Sequence, residues 1–296
     1  MTLSLATAVK SDQLLAHLKA LEGERHPYTS RERLEELQHD IAAQLTSWGL
    51  SVSSEAFSYM GEPFVNLLAR PPGHPTGPRL IVGAHLDTVP GTPGADDNAS
   101  GVAALLETAR VIASGSWRLP IEFVVFNLEE LGMVGSTAYA QRLRRTQGEV
   151  LGMLSLEMVG FTESQGLQHY PWFLKSRYPA TGNYLGLAAN RRSRPLLKIV
   201  EQAMRSIDGL PIETMTLPGK GWGFPEARLS DHSPFWDAGF SALLVTDTSF
   251  FRNPHYHQAS DTVETLDLAF LEKVTQGLVA TVETLANSEC GMRNVE

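Results

Sequence analysis

Four short and nearly continuous apolar runs are the feature that most constrains the fold of this chain. They cover residues 80–85, 121–128, 150–158 and 242–246. Runs of this length and character are typical of strands that are buried on both faces of a sheet. Segments with apolar residues at helical spacing lie between them, at residues 101–113, 136–145 and 195–207. The alternation predicts an α/β three-layer sandwich, with a mixed, mostly parallel central sheet and helices on both faces.

The remaining segments add helices, an edge pair of strands and one long loop. Helical spacing recurs at residues 11–22, 30–48 and 263–285, whereas residues 52–58 and 66–69 predict a hairpin or edge pair. Residues 160–183 show no clear periodicity of apolar residues. A loop of this length in a compact domain usually has a functional role. We therefore expect a single domain over residues 1–296, with a substrate-covering loop insertion at about 160–183.

Charge and cysteine content exclude several classes of protein. The chain has 33 acidic and 24 basic residues, a net charge of −9, which argues against a nucleic-acid partner. Its single cysteine, Cys290, allows no internal disulfide and no cysteine-based metal cluster, and we expect no catalytic role for it. We find neither a signal-peptide pattern nor a stretch near the roughly 20 apolar residues of a membrane span. We expect a cytoplasmic enzyme without a membrane partner, and the sequence leaves its oligomeric state open.

Polar clusters follow the apolar runs at the points where the predicted strands end. The first three contain His85 and Asp87, then Glu129 and Glu130, then Glu157, and the last apolar run is followed by a histidine-containing segment. Ligands of open α/β sheets bind outside the carboxyl ends of the strands. Carboxylates and imidazoles collected there favour a metal site with oxygen and nitrogen donors.

Some of these residues also have purely structural explanations. The motif Asp96, Asp97 and Asn98 precedes a predicted helix, where such residues are common caps. Glu129 and Glu130 are harder to explain in this way, because adjacent carboxylates after a buried strand repel each other and lose hydration. A bound cation would relieve both costs and leave one of the two carboxylates free to act as a general base.

Five motifs in order resemble those of the di-zinc aminopeptidase family, which also contains glutaminyl cyclases, glutamate carboxypeptidase and the transferrin receptor. The motifs lie at residues 83–87 (GAHLD), 93–101 (PGADDNASG), 127–130 (NLEE), 230–235 (SDHSPF) and 254–257 (PHYH). The resemblance runs from about residue 64 to the C-terminus. It implies a zinc-dependent exopeptidase-like fold, a peptide or amino-acid-derived substrate, and two divalent metal ions, with zinc first and manganese or cobalt as alternatives.

The resemblance also implies a metal ligand for each of five positions. Asp97 is similar to the carboxylate that bridges both metals. One metal site would be completed by His85 and Glu157, and the other by Glu130 and His257. The family usually has Asp where this chain has Glu157, and the extra methylene group bears on coordination and metal preference.

Four further positions match residues that support catalysis in the family. Glu129 would be the general base, and Asp87 would orient the imidazole of the first metal site. Asp231 matches an aspartate in the hydrogen-bond network of the base, and Tyr256 resembles a tyrosine that polarises the scissile carbonyl. His255 competes for the role of ligand, but the family's ligand histidine directly follows the tyrosine.

The implied activity is a metal-dependent aminopeptidase that hydrolyses the N-terminal residue of peptides with a metal-activated water. Glutaminyl cyclase is an alternative, although its resemblance would place Trp where this chain has Tyr256. A carboxypeptidase, an N-acyl amino-acid hydrolase and an inactive binding protein also remain open. Residues that would bind a substrate carboxylate are Arg177, Arg191, Arg192 and Arg194, and candidates for the pocket wall are Tyr170, Trp172, Phe173, Tyr178 and residues 221–225.

Overall fold

The computed structural model describes residues 5–73, 75–166 and 168–288, and Cys290 lies outside the described residues. Within these ranges eight strands form one sheet. They are β1 (Ser51–Tyr59), β2 (Glu62–Arg70), β3 (Arg79–His85), β4 (Ile121–Phe126), β5 (Val150–Glu157), β6 (Leu185–Asn190), β7 (Ile212–Leu217) and β8 (Ala242–Thr246).

The α-helices of the described residues lie before, between and after these strands. They are α1 (Ser11–Leu21), α2 (Arg31–Ser47), α3 (Gly101–Ile112), α4 (Val134–Arg145), α5 (Arg194–Met204), α6 (His232–Ala238) and α7 (Leu268–Ala286). No helix within the described ranges combines the length and the apolar surface that a bilayer-spanning segment requires.

The strand order and directions place the carboxyl ends of four strands at one edge of the sheet, meaning the edge that runs across the strand ends. The order is β1-β2-β4-β3-β5-β8-β6-β7. Strands β4, β3, β5 and β8 are parallel to one another, whereas β2 is antiparallel to β4 and β6 is antiparallel to β8. The strand β7 is parallel to β6, so the first residues of β6 and β7 lie at the same edge as the ends of the four parallel strands. The predicted mixed, mostly parallel sheet is confirmed.

The helices cover the two faces of the sheet unequally. Helices α1, α2, α3, α5 and α7 contribute to the larger apolar core, and α4 and α6 contribute to a smaller core on the other face. Successive side chains of a strand pack into opposite cores: Leu154 and Leu156 belong to the larger core, and Met153 belongs to the smaller core. Over β7 the smaller core is completed by loop residues, among them Leu174 and Phe224. Helices on both faces, as the sequence predicts, are therefore present.

The sequence did not predict β6, β7 or α6. Strand β6 has the sequence LGLAAN, whose small residues give little strand signal, and α6 is a seven-residue helix that contains a proline. The predicted hairpin is present: β1 and β2 are paired antiparallel, and β1 is the outermost strand on its side of the sheet. Helix α7 begins at Leu268 rather than at 263, because the side chain of Asp267 accepts the backbone N–H of Phe270 at 3.0 Å and caps the helix.

Candidate metal centre and substrate cavity

Loops that follow the parallel strands bring carboxylates and imidazoles to one sheet edge. His85 is the last residue of β3, and Glu157 is the last residue of β5. Glu130 lies four residues beyond the end of β4, and His257 lies in the segment after β8. Asp97 lies in a turn between β3 and α3, where its backbone is not helical. The sheet topology thus collects side chains that are up to 172 positions apart in the sequence.

Two groups of three side chains share Asp97. In the first group, Nε2 of His85 is 3.4 Å from Oδ1 of Asp97 and 3.4 Å from Oε2 of Glu157. In the second group, Nε2 of His257 is 3.2 Å from Oδ2 of Asp97 and 3.3 Å from Oε2 of Glu130. Within each group the candidate ligand atoms lie within 4.8 Å of one another. The two oxygens of Asp97 therefore face different groups.

Polar atoms without partners indicate that these groups fit a metal ion. Among the described residues, Nε2 of His85, Nε2 of His257 and Oε1 of Glu130 are buried and have no hydrogen-bond partner. Buried polar atoms ordinarily have at least one partner. Imidazole nitrogen and carboxylate oxygen are donors that zinc and similar divalent ions accept. The donor set and its geometry therefore fit a divalent metal ion.

The charges of the cluster also favour a cation. Burial raises the pKa of Glu157, and burial together with Asp97 raises the pKa of Glu130 to about 7. Burial raises the pKa of Glu129 well above its usual range. Burial alone would lower the pKa of His257, but Asp97 and Glu130 outweigh it and raise that pKa to about 10. Burial and mutual repulsion thus disfavour negative charge on these three glutamates, and a divalent cation would offset both effects.

Asp87 connects the first histidine to the two adjacent glutamates. Its carboxylate accepts the backbone N–H of Glu129 at 3.0 Å and that of Glu130 at 3.1 Å. Nδ1 of His85 lies 3.1 Å from the backbone carbonyl of Asp87 and 3.7 Å from its carboxylate. Because a carbonyl only accepts, Nδ1 of His85 is the donor, which leaves Nε2 free to bind a metal. The main chain of Asp87 therefore orients His85, while its side chain positions the turn after β4.

Ser230 makes the direct contact to Glu157, and Asp231 lies close to Glu129. The hydroxyl of Ser230 donates to Oε2 of Glu157 at 2.8 Å and lies 3.1 Å from the hydroxyl of Ser155. Asp231 is buried, and its charge contributes to the raised pKa of Glu129. Burial raises the pKa of Asp231 itself to about 7. Sequence reasoning assigned a role to Asp231 and overlooked its neighbour Ser230, although both lie in one motif.

The segment after β8 turns His257 toward the cluster and His255 away from it. Nδ1 of His255 lies 2.8 Å from the hydroxyl of Ser260, and His255 belongs to neither group of candidate ligands. His257 adopts a φ of 57°, in the left-handed region that non-glycine residues rarely adopt. The ring of Tyr256 stacks on the His257 ring with centroids 3.7 Å apart. Burial, together with Asp97 and Glu130, raises the pKa of the Tyr256 hydroxyl.

Buried side chains hold the turn that carries Asp97. Asp261 accepts the backbone N–H of Asp96 at 2.9 Å and that of Asp97 at 3.1 Å. The side chain of Asn98 donates to the carbonyl of Leu156 at 2.8 Å and so ties the turn to the end of β5. Asp261 lies four residues after the ligand candidate His257, and that proximity is the sequence signal that could have identified it.

Arg25 supports the same turn from the segment after α1. It is fully buried, and it donates to the carbonyl of Leu86 at 2.7 Å and to the carbonyl of Gly94 at 2.8 Å. Burial lowers the pKa of its guanidinium group to about 10. Arg25 thus joins the end of β3 to the Asp97 turn. It lies outside every motif, so no local signal identified it.

The two groups of candidate ligands together form the metal-ligand cluster: His85, Asp97, Glu130, Glu157 and His257. A cavity of about 270 Å³ extends from this cluster along the sheet. Part of its floor is a row of paired strand residues, in which Glu157 pairs with Thr246, Thr246 with Gly186, and Gly186 with Glu213. Directly paired residues project to the same face of a sheet. All four line the cavity, and so do the members of a second row, Leu244, Ala188 and Met215. The cavity therefore runs from β5 over β8 and β6 to β7.

Loops form the walls of this cavity. Tyr170, Leu174 and Tyr178 line it from the 160–183 loop, and the hydroxyl of Tyr178 donates to the carbonyl of Thr214 on β7 at 3.1 Å. Phe224 lines it from the loop before α6. The other aromatic residues proposed for the wall do not line it: Trp172 is 84% exposed, Trp222 is 67% exposed, and Phe173 is 47% exposed.

The cavity is lined by carboxylates and, among the described residues, by neither lysine nor arginine. Arg191, Arg192 and Arg194 follow the end of β6, which lies at the opposite sheet edge because β6 is antiparallel to β8. Arg177 is exposed on the 160–183 loop and does not line the cavity. The arginines considered as binding residues for a substrate carboxylate are therefore not placed to act as such.

Comparison with protein sequences identifies relatives of this chain. The sequence profile of peptidase family M28 matches residues 66–282. The chain is 33% identical to the uncharacterized protein YfbL of Escherichia coli (strain K12) over 254 residues. This alignment covers 81% of this chain and 76% of that protein. Three curated relatives named as aminopeptidases are matched over 42% to 52% of their own length, so the chain spans about half of each.

Comparison with solved structures finds the same fold. The LapA aminopeptidase of Legionella pneumophila superposes with a TM-score of 0.77 at 22% identity, over 96% of this chain and 73% of that chain. The glutaminyl cyclase of Porphyromonas gingivalis gives a TM-score of 0.71 at 21% identity, over 93% of this chain and 98% of that chain. BSAP, a zinc aminopeptidase from Bacillus subtilis, gives 0.59 at 26% identity, over 78% of this chain and 52% of that chain.

Proposed function

The chain belongs to peptidase family M28, and from this premise we propose that it is a metal-dependent aminopeptidase that removes the N-terminal residue of peptides. One observation carries the proposal: the cavity beside the metal-ligand cluster is acidic and, among the described residues, has no lysine or arginine in its lining. A free α-ammonium group is attracted by such a cavity. A substrate carboxylate, which a carboxypeptidase or an N-acyl amino-acid hydrolase must bind, would be repelled.

We propose two divalent ions, each held by three of the clustered side chains. His85, Glu157 and Asp97 would hold one ion, and Asp97, Glu130 and His257 would hold the other, with Asp97 as the bridge. Zinc is favoured by the mixed nitrogen and oxygen donors and by the likeness to a zinc aminopeptidase, with manganese and cobalt as alternatives because Glu157 replaces the usual Asp. When bound, such ions lower the pKa of a water molecule and stabilise negative charge on a carbonyl oxygen.

Glu129 is our candidate for the general base. It lines the cavity but belongs to neither group of ligands, so its carboxylate is free to accept a proton from the attacking water and pass it to the leaving amine. Asp87 positions Glu129 through the backbone N–H, and the nearby charge of Asp231 favours proton uptake by Glu129. Tyr256 also lines the cavity, and we propose that its hydroxyl donates to the scissile carbonyl.

Glutaminyl cyclase is the second candidate, because a solved cyclase shares the fold over 93% of this chain. The presence of Tyr256 beside the ligand histidine, where the resemblance to cyclases predicts Trp, favours hydrolysis. A peptide with N-terminal glutamine separates the two activities, since cyclisation releases ammonia and hydrolysis releases glutamine.

The test is a panel of free, N-acetylated and N-terminal-glutamine peptides, incubated with the zinc-loaded protein. We expect the unblocked peptides, including the one with N-terminal glutamine, to lose their N-terminal residue, and the acetylated peptides to stay intact. Glu129→Gln should lower the rate by about 10²- to 10⁴-fold while metal content stays unchanged, and Glu149→Gln, an exposed control with the same charge change, should keep the rate. Cleavage of acetylated peptides alone, or ammonia without free glutamine, would contradict the aminopeptidase assignment.

Four broader expectations stay predictions. We propose that residues 160–183 cover bound substrate within a single metallopeptidase domain spanning residues 1–296, a role supported by Tyr170, Leu174 and Tyr178 in the cavity lining. Limited proteolysis tests this role, because a substrate analogue should protect the loop from cleavage. We expect the cytoplasmic location from the lack of signal-peptide and membrane-span patterns, and the absence of a nucleic-acid partner from the net charge of −9.

A further inference from the structure

The cavity contains a carboxylate that the proposed hydrolysis does not use. Glu213 lies on β7, in the same row of paired residues as Glu157 on β5. The row crosses three strand spacings of about 4.8 Å each, so the two backbones are about 14 Å apart. Glu213 therefore lies at the far end of the cavity from the metal ligands. It is too distant from them to help hold the ions.

Glu213 has no partner of its own among the described residues. Its half-buried side chain forms no hydrogen bond and no ion pair there. The hydroxyls of the two tyrosines close to it are already used, since Tyr178 donates to the carbonyl of Thr214 at 3.1 Å and Tyr170 donates to that of Pro179 at 2.9 Å. The carboxylate of Glu213 is thus an acceptor that is available to a ligand in the cavity.

Arg252 is a buried cation in this part of the molecule; its Nε and Nη1 are bound to other groups, and its Nη2 has no hydrogen-bond partner. Arg252 lies over the ring of Tyr184, with its guanidinium carbon 4.5 Å from the ring centroid. It donates to the side chain of Gln168 at 2.9 Å and to the carbonyl of Phe161 at 3.3 Å. Arg252 is not among the cavity-lining residues and forms no ion pair with Glu213. The described residues thus place no cation in an ion pair with Glu213, and a cationic ligand would meet no competing pair.

The path between the metal ligands and Glu213 suits a long aliphatic chain. Gly186 has no side chain and Ala188 has only a methyl group, so the floor over β6 is low. Leu244 and Met215 border this floor, and Leu174 lines the wall. Such apolar surfaces stabilise the methylene groups of a side chain, and the carboxylate beyond them stabilises a positive charge at its tip.

We propose that the enzyme prefers peptides whose N-terminal residue is lysine or arginine, and that Glu213 binds the cationic end of that side chain. The inference rests on the proposed aminopeptidase function, because it assumes that the α-ammonium group and the scissile bond lie at the metal end of the cavity. Glu226, which also lines the cavity, adds negative charge, and no lysine or arginine of the described lining opposes it.

The test compares lysyl and norleucyl amides of a fluorogenic amine on the zinc-loaded protein, since norleucine is lysine without its ammonium group. We expect kcat/KM for the lysyl amide to exceed that for the norleucyl amide by about 10- to 100-fold, the range for a hydrogen bond between charged groups. Glu213→Gln preserves the shape of the side chain and should bring this ratio close to 1. Glu149→Gln, an exposed control with the same loss of charge, should keep the wild-type ratio.

Inhibition of the wild-type protein gives the same comparison without a variant. Free lysine should compete with the substrate at a concentration at least about tenfold lower than free norleucine. A norleucyl amide that is cleaved as fast as the lysyl amide, or a ratio that Glu213→Gln leaves unchanged, would overturn the specificity while the aminopeptidase function stands. Metal-loaded protein that cleaves no aminoacyl amide would overturn both.

Discussion

The two ends of the cavity are built in opposite ways. At the metal end, carboxylates and imidazoles lie at the strand ends and in the turns after them, and further buried polar residues such as Asp87 and Asp261 hold these turns by hydrogen bonds to the backbone. At the far end, small and apolar residues of β6 and β7 form a floor, and residues of the 160–183 loop line the wall. The hydroxyl of Tyr178 is one of the few polar ties between that loop and the sheet.

Under the proposed function, the metal end carries out the reaction and the far end selects the substrate. Metal ligands and a general base must be held in one arrangement, which requires a dense network of hydrogen bonds around them. A pocket that selects a side chain requires shape and one suitably placed charge. Changes at the metal end should therefore affect every substrate, whereas changes at the far end should alter the ranking of substrates. The predictions below test this division, starting with the largest effect.

Metal removal should abolish activity on all substrates, and metal affinity should depend strongly on pH. In the metal-free protein the pKa of His257 is raised to about 10, so its imidazole holds a proton at pH 7 that a metal must displace. Glu130, with a pKa of about 7, adds a second proton below neutrality. Apparent zinc affinity should fall by at least about tenfold per pH unit from pH 8 to 6. Titrations against a competing chelator measure this, and an affinity independent of pH would contradict it.

Asp87→Asn should lower both metal affinity and kcat/KM by about 10- to 100-fold, the range for residues that orient metal ligands. The amide nitrogen of asparagine would face a backbone N–H of Glu129 or Glu130, where a carboxylate oxygen now accepts. Metal content by mass spectrometry and rates on lysyl and leucyl amides provide the measurement. Asp208→Asn, an exposed substitution, serves as the control. A loss confined to one substrate would show that the two ends are not separate.

Ala188→Leu should affect the far end alone. The larger side chain would occupy the cavity floor over β6, so kcat/KM for lysyl and leucyl amides should fall by about tenfold while that for an alanyl amide changes little. Zinc affinity should stay at the wild-type value, because Ala188 belongs to neither group of ligand candidates. The ratio of leucyl to alanyl rates checks this. An equal loss on both substrates would indicate a general distortion instead of a filled pocket.

The double variant Arg191→Ala with Arg192→Ala should have the smallest effect. Both residues are exposed at the sheet edge opposite the metal-ligand cluster. We expect kcat/KM on every aminoacyl amide to stay within about twofold of the wild type, since surface charges at that distance are screened by salt. A large loss on substrates with a free carboxylate would restore these arginines as binding residues.

The fold and the metal-ligand cluster were predictable to different extents. The four apolar runs predicted the central strands, because strands buried on both faces have few polar residues. Strands β6 and β7 were missed, since their burial depends on the loops and helices packed around them. His85 and Glu157 were predictable as strand-end residues, but the contact of Ser230 with Glu157 was not, because 73 positions separate the two residues.

By itself, the sequence determined the residue types of the metal centre and the strands that carry them, since alternating apolar runs and motif order are local properties. Only the tertiary structure decided which residues meet. It brought Arg25 to the Asp97 turn, and it placed Glu213 at the end of a cavity that begins at Glu157. The physical reason is that such contacts depend on strand order and loop packing, which join residues that are remote in the chain.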